Sequence, residues 1–140
     1  MVNVSSLFGL LSMPGQSAYN SAKFAVRGFT ESLRQEMLIA KHPVKVTCVH
    51  PGGIKTAIAR NATAGPGEDL DTFAKFFDQK LARTTPEAAA ETIVNGVRKG
   101  KPRVLIGADA KFLDAWVRLV GPSYQRVVAL VAGRVLPKSN

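Results

Sequence analysis

Three side chains near the start of the chain, Ser6, Tyr19 and Lys23, are of types that can exchange protons with a small molecule. On an α-helix, residues four apart lie on one face, so the Lys23 ammonium would come close to the Tyr19 phenol. Lowering the pKa of a phenol from about 10 to about 7 requires roughly 4 kcal/mol, which a cation about 4 Å away supplies at an effective dielectric constant of about 20. We therefore expect Lys23 to lower the pKa of Tyr19, which could then act as a general acid and base, while the Ser6 hydroxyl orients a substrate oxygen. The alternative interpretation places the tyrosine and the lysine on a solvated helix face and leaves the serine merely ending a strand.

The flanking sequence predicts the elements that would position these groups. The β-branched residues at 2–5 predict a short strand, which puts Ser6 at the carboxyl end of a strand, where open α/β sheets bind ligands. Ser17 is a candidate N-cap for a helix over residues 18–40 that carries the tyrosine and the lysine in its first turns. Apolar residues recur along this helix at steps of three and four and form one stripe, made of Ala22, Ala25, Val26, Phe29, Leu33 and Met37.

Downstream, the pattern predicts strands that alternate with helices. Residues 44–49 are rich in β-formers, and Thr85 is a candidate N-cap for a helix that begins at Pro86 and ends near Gly100. A third short strand is predicted at residues 103–107. Strands separated by helices imply parallel pairing.

Other segments could cover a site or contact a partner. Residues 57–68 predict a loop, and residues 70–81 carry apolar and aromatic side chains at helical spacing, which could pack on the core or lie over a lipophilic substrate. Residues 110–136 predict two amphipathic helices broken by Gly121-Pro122. These helices could pack on a partner subunit, touch a membrane surface or cover the core.

Four stretches of the sequence form one combination: Asn3-Val4-Ser5-Ser6 with Gly9, then Pro14-Gly15, then Tyr19 to Val26, then His50 to Thr56. Together they closely resemble the short-chain dehydrogenase/reductase family. In that family the residue matching Tyr19 donates and accepts the proton, the one matching Lys23 holds the nicotinamide ribose and lowers the tyrosine pKa, and the one matching Ser6 positions the substrate oxygen. The resemblance also implies that a Pro-Gly-x-Ile-x-Thr stretch lies against the nicotinamide, here Pro51, Gly52, Ile54 and Thr56.

The resemblance implies an α/β fold, the C-terminal part of a Rossmann-type, doubly wound parallel sheet with about three strands and flanking helices, whose N-terminal cofactor-binding half is missing. Residues 1–107 would form this half domain, and residues 108–140 an amphipathic helical extension. The implied function is the interconversion of an alcohol and a ketone or aldehyde with NAD or NADP as cofactor, by a homo-oligomer that pairs through the Tyr19 helix. No G-x-G-x-x-G phosphate loop occurs in the sequence, so we expect these 140 residues alone to bind nicotinamide negligibly. The alternative function is a truncated, catalytically silent fragment that acts only through helix-mediated association.

Composition narrows the classes of partner. The net charge is +9, but the basic residues are scattered and no aromatic series interleaves with them, so we expect no nucleic-acid partner. Charged residues interrupt the C-terminal apolar stretch too often for a membrane span of about 20 residues, and no charged leader precedes an apolar stretch, so a cytoplasmic location is the default expectation. The lone Cys48, with His42 and His50, lacks the spacing of metal ligands, and we expect no metal site.

Overall fold

The computed structural model describes residues 1–58, 61 and 82–135. The predicted loop at 57–68, apart from positions 57, 58 and 61, and the predicted aromatic helix at 70–81 lie outside the described residues.

Three short parallel strands form the sheet. They are β1 (Val2–Val4), β2 (Thr47–Pro51) and β3 (Arg103–Ile106), and β2 lies between the other two. Val4 pairs with Val49 and Pro51 pairs with Ile106, so the carboxyl ends of the strands lie along one edge of the sheet. The predicted α/β class with parallel pairing is confirmed.

Helix α1 (Ser17–Ile39) connects β1 to β2 and carries Tyr19 and Lys23 in its first two turns. Its N-cap is Gln16, which makes no side-chain capping bond, so the prediction that Ser17 caps the helix is wrong. The helix begins one residue earlier because the Gln16 carbonyl accepts a hydrogen bond from the Asn20 amide at 2.8 Å.

The predicted apolar stripe is not the most buried face of α1. The two buried residues of α1 are polar, Asn20 and Thr30, whereas Phe29 of the stripe is 62% exposed. The Thr30 hydroxyl donates to the Val26 carbonyl and accepts from the Asn3 amide group, which allows a polar side chain to face the sheet. Phe29 and its neighbours on the stripe instead line a shallow groove beside β1.

Helix α2 (Pro86–Arg98) follows the sequence prediction closely. The Thr85 hydroxyl accepts a hydrogen bond from the Ala88 amide at 3.3 Å, and Pro86 occupies the first helical position, where no backbone donor is needed. Gly96 lies directly against the Val104 side chain, so α2 packs closely on β3.

Helices α3 (Ala108–Val120) and α4 (Tyr124–Val135) follow β3 and are separated by a 3₁₀ turn at Gly121–Ser123. They close a core with the segment after β1, made of Leu7, Leu10, Leu11, Ala110 and Tyr124. None of the helices in the described ranges is long and apolar enough to cross a membrane. The division of the chain at residue 107 stays a prediction.

A second core cluster contains Val49, Val104, Ile106 and Ala89 of α2. Neighbouring residues of a strand point to opposite faces of its sheet. His50 therefore lies on the face opposite Val49, on the side where its ring reaches the segment after β1. Helices cover both faces of the sheet, as in doubly wound folds.

Candidate functional site

The first part of the candidate site is the pair formed by Tyr19 and Lys23. The Lys23 Nζ lies over the Tyr19 ring, 5.5 Å from the ring centre, so the one-turn spacing makes the two side chains neighbours. The same Nζ donates to the Val4 carbonyl at 3.3 Å, which anchors the lysine to the last residue of β1. Tyr19 is 38% exposed, so a small molecule can reach it.

Ser6 lies in the segment that leaves β1. Its hydroxyl accepts a hydrogen bond from the Phe8 amide at 3.2 Å and so begins a 3₁₀ turn at Leu7–Gly9. The Phe8 ring in turn meets the Tyr19 ring edge to face, with the ring centres 6.2 Å apart. These contacts bring Ser6, Tyr19 and Lys23 to the same end of β1.

The close fit between this segment and α1 depends on two small residues. The buried Ser5 hydroxyl donates to the Lys23 carbonyl at 2.8 Å. Gly9 packs against the same carbonyl, where a Cβ atom would lie 2.8 Å from the Lys23 oxygen. The segment that carries Ser6 therefore holds the backbone of Lys23 in place.

The second part of the candidate site begins at Pro51, the last residue of β2, and continues into the following loop with Gly52, Ile54 and Thr56. The Gly52 amide donates to the Ile106 carbonyl at 2.9 Å, and Ile54 forms an isolated parallel bridge with Thr84. The Thr56 amide donates to the Ile54 carbonyl at 2.8 Å, which tightens the turn. This loop leaves the sheet at the same edge as Ser6, because β1 and β2 are parallel neighbours.

His50 joins the two parts. Its Nδ1 lies 2.9 Å from the Ser6 carbonyl, and a carbonyl only accepts, so Nδ1 carries the hydrogen and donates. Burial lowers the pKa of His50, and its Nε2 has no hydrogen-bond partner among the described residues. The neutral His50 side chain, on β2 next to Pro51, thus holds the backbone of Ser6.

A network of ion pairs links α1, β3 and α3. Arg103 pairs with both Glu31 and Asp114, and Glu31 also accepts from Arg27. Burial raises the pKa of Glu31, but hydrogen bonds from Arg103 and Arg27 outweigh it and hold the pKa below its usual value. Arg118 makes a second pair with Asp114. The network fixes the helix that carries Tyr19 relative to the sheet.

A cavity of about 550 Å³ lies elsewhere, between the start of α1 and α4. It is lined by residues including Met13, Asn20, Phe24 and Val128, and not by Ser6, Tyr19 or Lys23. The side chains that the sequence predicts to transfer a proton lie at the sheet edge and do not line this cavity.

Sequence reasoning missed several residues that hold the site. The sequence places His50 at the end of the second strand but does not predict its contact with Ser6. The contact of Asp109 with the Gly53 amide at 2.9 Å has no signal in the sequence. Phe8 could have been found, since it lies two residues after Ser6 in the segment already placed at the site. Burial raises the pKa of the Cys48 thiol. In the part of the chain that the structure describes, no three potential metal ligands lie close enough together to hold an ion.

The sequence of the chain is similar to those of known oxidoreductases. The short chain dehydrogenase family profile matches residues 1–67, which include all of the candidate site residues. A Mycobacterium tuberculosis protein that carries the name oxidoreductase SadH is 66% identical over 137 residues, which are 98% of this chain and 50% of that protein. Dehydrogenase/reductase SDR family member 7B of Xenopus tropicalis is 32% identical over 88% of this chain and 38% of its own length. The chain thus spans half or less of the length of these curated relatives.

Solved structures share the fold. A short chain dehydrogenase/reductase from Burkholderia phymatum, crystallised with NAD, has a TM-score of 0.71 at 22% identity, over 89% of this chain and 47% of that one. A short chain dehydrogenase from Burkholderia cenocepacia, crystallised with NADP, has a TM-score of 0.62 at 21% identity, over 97% of this chain and 48% of that one. At these identities the likeness concerns the fold alone.

Proposed function

We propose that the chain is part of an oxidoreductase of the short-chain dehydrogenase/reductase type that interconverts an alcohol and a ketone or aldehyde. The observation that carries this proposal is the placement of the Lys23 ammonium 5.5 Å from the centre of the Tyr19 ring, at the strand end where the Ser6 segment begins. The matched relatives are named as oxidoreductases and dehydrogenases, which favours an enzyme over the association-only alternative.

The described residues fit the nicotinamide end of an NAD or NADP cofactor. Lys23 uses one of its three ammonium donors on the Val4 carbonyl and keeps others for ribose hydroxyls. The loop from Pro51 to Thr56 offers backbone groups and a threonine hydroxyl at the carboxyl edge of the sheet, where such folds bind ligands. A glycine-rich loop for the pyrophosphate does not occur in the sequence.

In this mechanism a bound nicotinamide supplies or takes up the hydride. Ser6 holds the substrate oxygen by a hydrogen bond, and during reduction Tyr19 donates its phenolic proton to that oxygen. During oxidation the Tyr19 phenolate removes the proton from the alcohol. Lys23 stabilises the phenolate by its positive charge. The residues that would hold the nicotinamide ring at this edge of the sheet are Pro51, Gly52, Ile54 and Thr56.

The test is Tyr19→Phe in the protein as its gene encodes it, assayed with NADH and NADPH against a panel of small and lipophilic ketones. We expect kcat to fall by about 10²- to 10⁴-fold, the usual contribution of a general acid, with the fold retained. Tyr124→Phe is the matched control, because Tyr124 is the other tyrosine and its hydroxyl accepts from the Ser12 amide, away from the site. Activity of Tyr19→Phe within threefold of the wild type would refute the proton-transfer role.

A further inference from the structure

The turn after β2 is held by a carboxylate from α3. The Gly53 amide donates to Asp109 Oδ2 at 2.9 Å. The Gly53 carbonyl accepts from the Arg83 and Thr84 amides, each at 3.2 Å. Gly53 is buried, so both of its backbone groups depend on protein partners, and among the described residues Asp109 is the one partner that is a side chain.

Two glycines make room for this carboxylate. A Cβ atom at Gly52 would overlap both Asp109 oxygens. A Cβ at Gly107 would overlap Oδ1, and Gly107 has a φ of 93°, which disfavours any other residue. The Asp109 carboxylate therefore packs against the backbone at both Gly52 and Gly107.

The charge of Asp109 is compatible with this position. Asp109 lies in the first turn of α3, where the helix dipole favours a negative side chain. A charged acceptor also makes a stronger bond to a backbone amide than a neutral one does.

We propose that Asp109 is a positioning residue that holds the backbone of the Pro51–Ile54 turn and thereby sets the orientation of a nicotinamide bound there. The inference rests on the proposed function, since Ile54 is the next residue after Gly53 and is one of the groups assigned to the nicotinamide. A displacement of about 1 Å in such a group can reduce turnover about 100-fold, so a fixed turn matters for the reaction.

The experiment compares Asp109→Ala and Asp109→Asn with Asp114→Asn, in the protein as its gene encodes it. Asp114 is the matched control because it lies on the same helix and pairs with Arg103 and Arg118, away from the turn. The first measurement is hydrogen exchange of the Gly53 amide by NMR. We expect exchange to rise about 10- to 100-fold in Asp109→Ala, less in Asp109→Asn, which keeps an acceptor oxygen, and not at all in Asp114→Asn.

The second measurement is the KM for the nicotinamide cofactor. We expect the KM to rise about 10-fold or more in Asp109→Ala, with partial recovery in Asp109→Asn. Unchanged Gly53 exchange in a folded Asp109 variant would overturn the proposal. Raised exchange with an unchanged KM and kcat would overturn the role in orienting nicotinamide. If Asp109→Ala does not fold, the Asn variant gives the same two readouts.

Failure of the proposed function gives a different result. A wild-type protein with no nicotinamide-dependent activity would refute the reaction, whereas Gly53 exchange would still report whether Asp109 holds the turn.

Discussion

Gly9 is the position where one added methyl group should most directly disturb the candidate site. Its Cβ would lie 2.8 Å from the Lys23 carbonyl oxygen and 3.1 Å from the carbonyl carbon, and it would overlap the Ser5 hydroxyl. These neighbours cannot easily move, because the carbonyl belongs to the backbone of α1 and the hydroxyl is hydrogen-bonded to it. Gly9→Ala should therefore push α1 away from the segment that carries Ser6.

The expected cost combines two effects. Overpacking a well-packed site costs about 1–3 kcal/mol. Losing the hydrogen bond from Ser5 to the Lys23 carbonyl costs about 1 kcal/mol more. We therefore expect Gly9→Ala to lower the free energy of unfolding by about 2–4 kcal/mol, a large share of the roughly 5–15 kcal/mol typical of a domain.

Gly28→Ala is the matched control for this substitution. Gly28 lies in α1 and is exposed, and a Cβ there would meet no atom within 4 Å. Alanine is preferred to glycine in helices, so this variant should be more stable than the wild type by about 0.5–1 kcal/mol. Urea denaturation at neutral pH measures both variants. A Gly9→Ala protein within 0.5 kcal/mol of the wild type would refute the claim of a rigid contact between Gly9 and α1.

Three further predictions concern the surrounding structure. Burial lowers the pKa of His50 in the folded state, so the unfolded chain binds more protons than the folded one below about pH 6.5. The free energy of unfolding, measured by urea denaturation, should therefore fall as the pH drops from 7 to 5. His50→Asn should show a smaller dependence on pH. Arg103→Met leaves the carboxylates of Glu31 and Asp114 without their shared partner and should cost about 1–3 kcal/mol by thermal unfolding at pH 7. Because Arg103 helps to hold the pKa of Glu31 below its usual value, this cost should shrink as the pH falls through the lowered pKa of Glu31. Thr85→Ala removes the N-cap bond of α2 and should cost about 1 kcal/mol in the same assay, while an unchanged melting temperature would contradict the capping role.

The elements of the fold could be predicted from the sequence because their signals are local. The β-branched run at 2–5, the Thr85-Pro86 start of α2 and the Gly121-Pro122 break each depend on a few neighbouring residues, and the structure has β1, α2 and the α3–α4 break at these places. Parallel pairing followed from the alternation of strands and helices. The spacing of Tyr19 and Lys23 was likewise enough to predict that they are neighbours.

Contacts between distant parts of the chain could not be predicted in this way. The apolar stripe of α1 suggests one face of the helix, but the buried residues of α1 are Asn20 and Thr30. The Asn20 side-chain amide donates to the Met13 carbonyl, and the Thr30 hydroxyl accepts from the Asn3 side chain. Asp109 lies 56 residues from the amide that it accepts from, and no periodicity links them.

Lys23 is held at both its side chain and its backbone, by the Val4 carbonyl and the Ser5 hydroxyl. A free lysine side chain has about 2 kcal/mol of rotamer entropy to lose when it is immobilised. Here much of that loss occurs when the chain folds, before any small molecule arrives. A ligand that contacts the ammonium therefore meets a charge already in place, and more of its interaction energy remains as affinity.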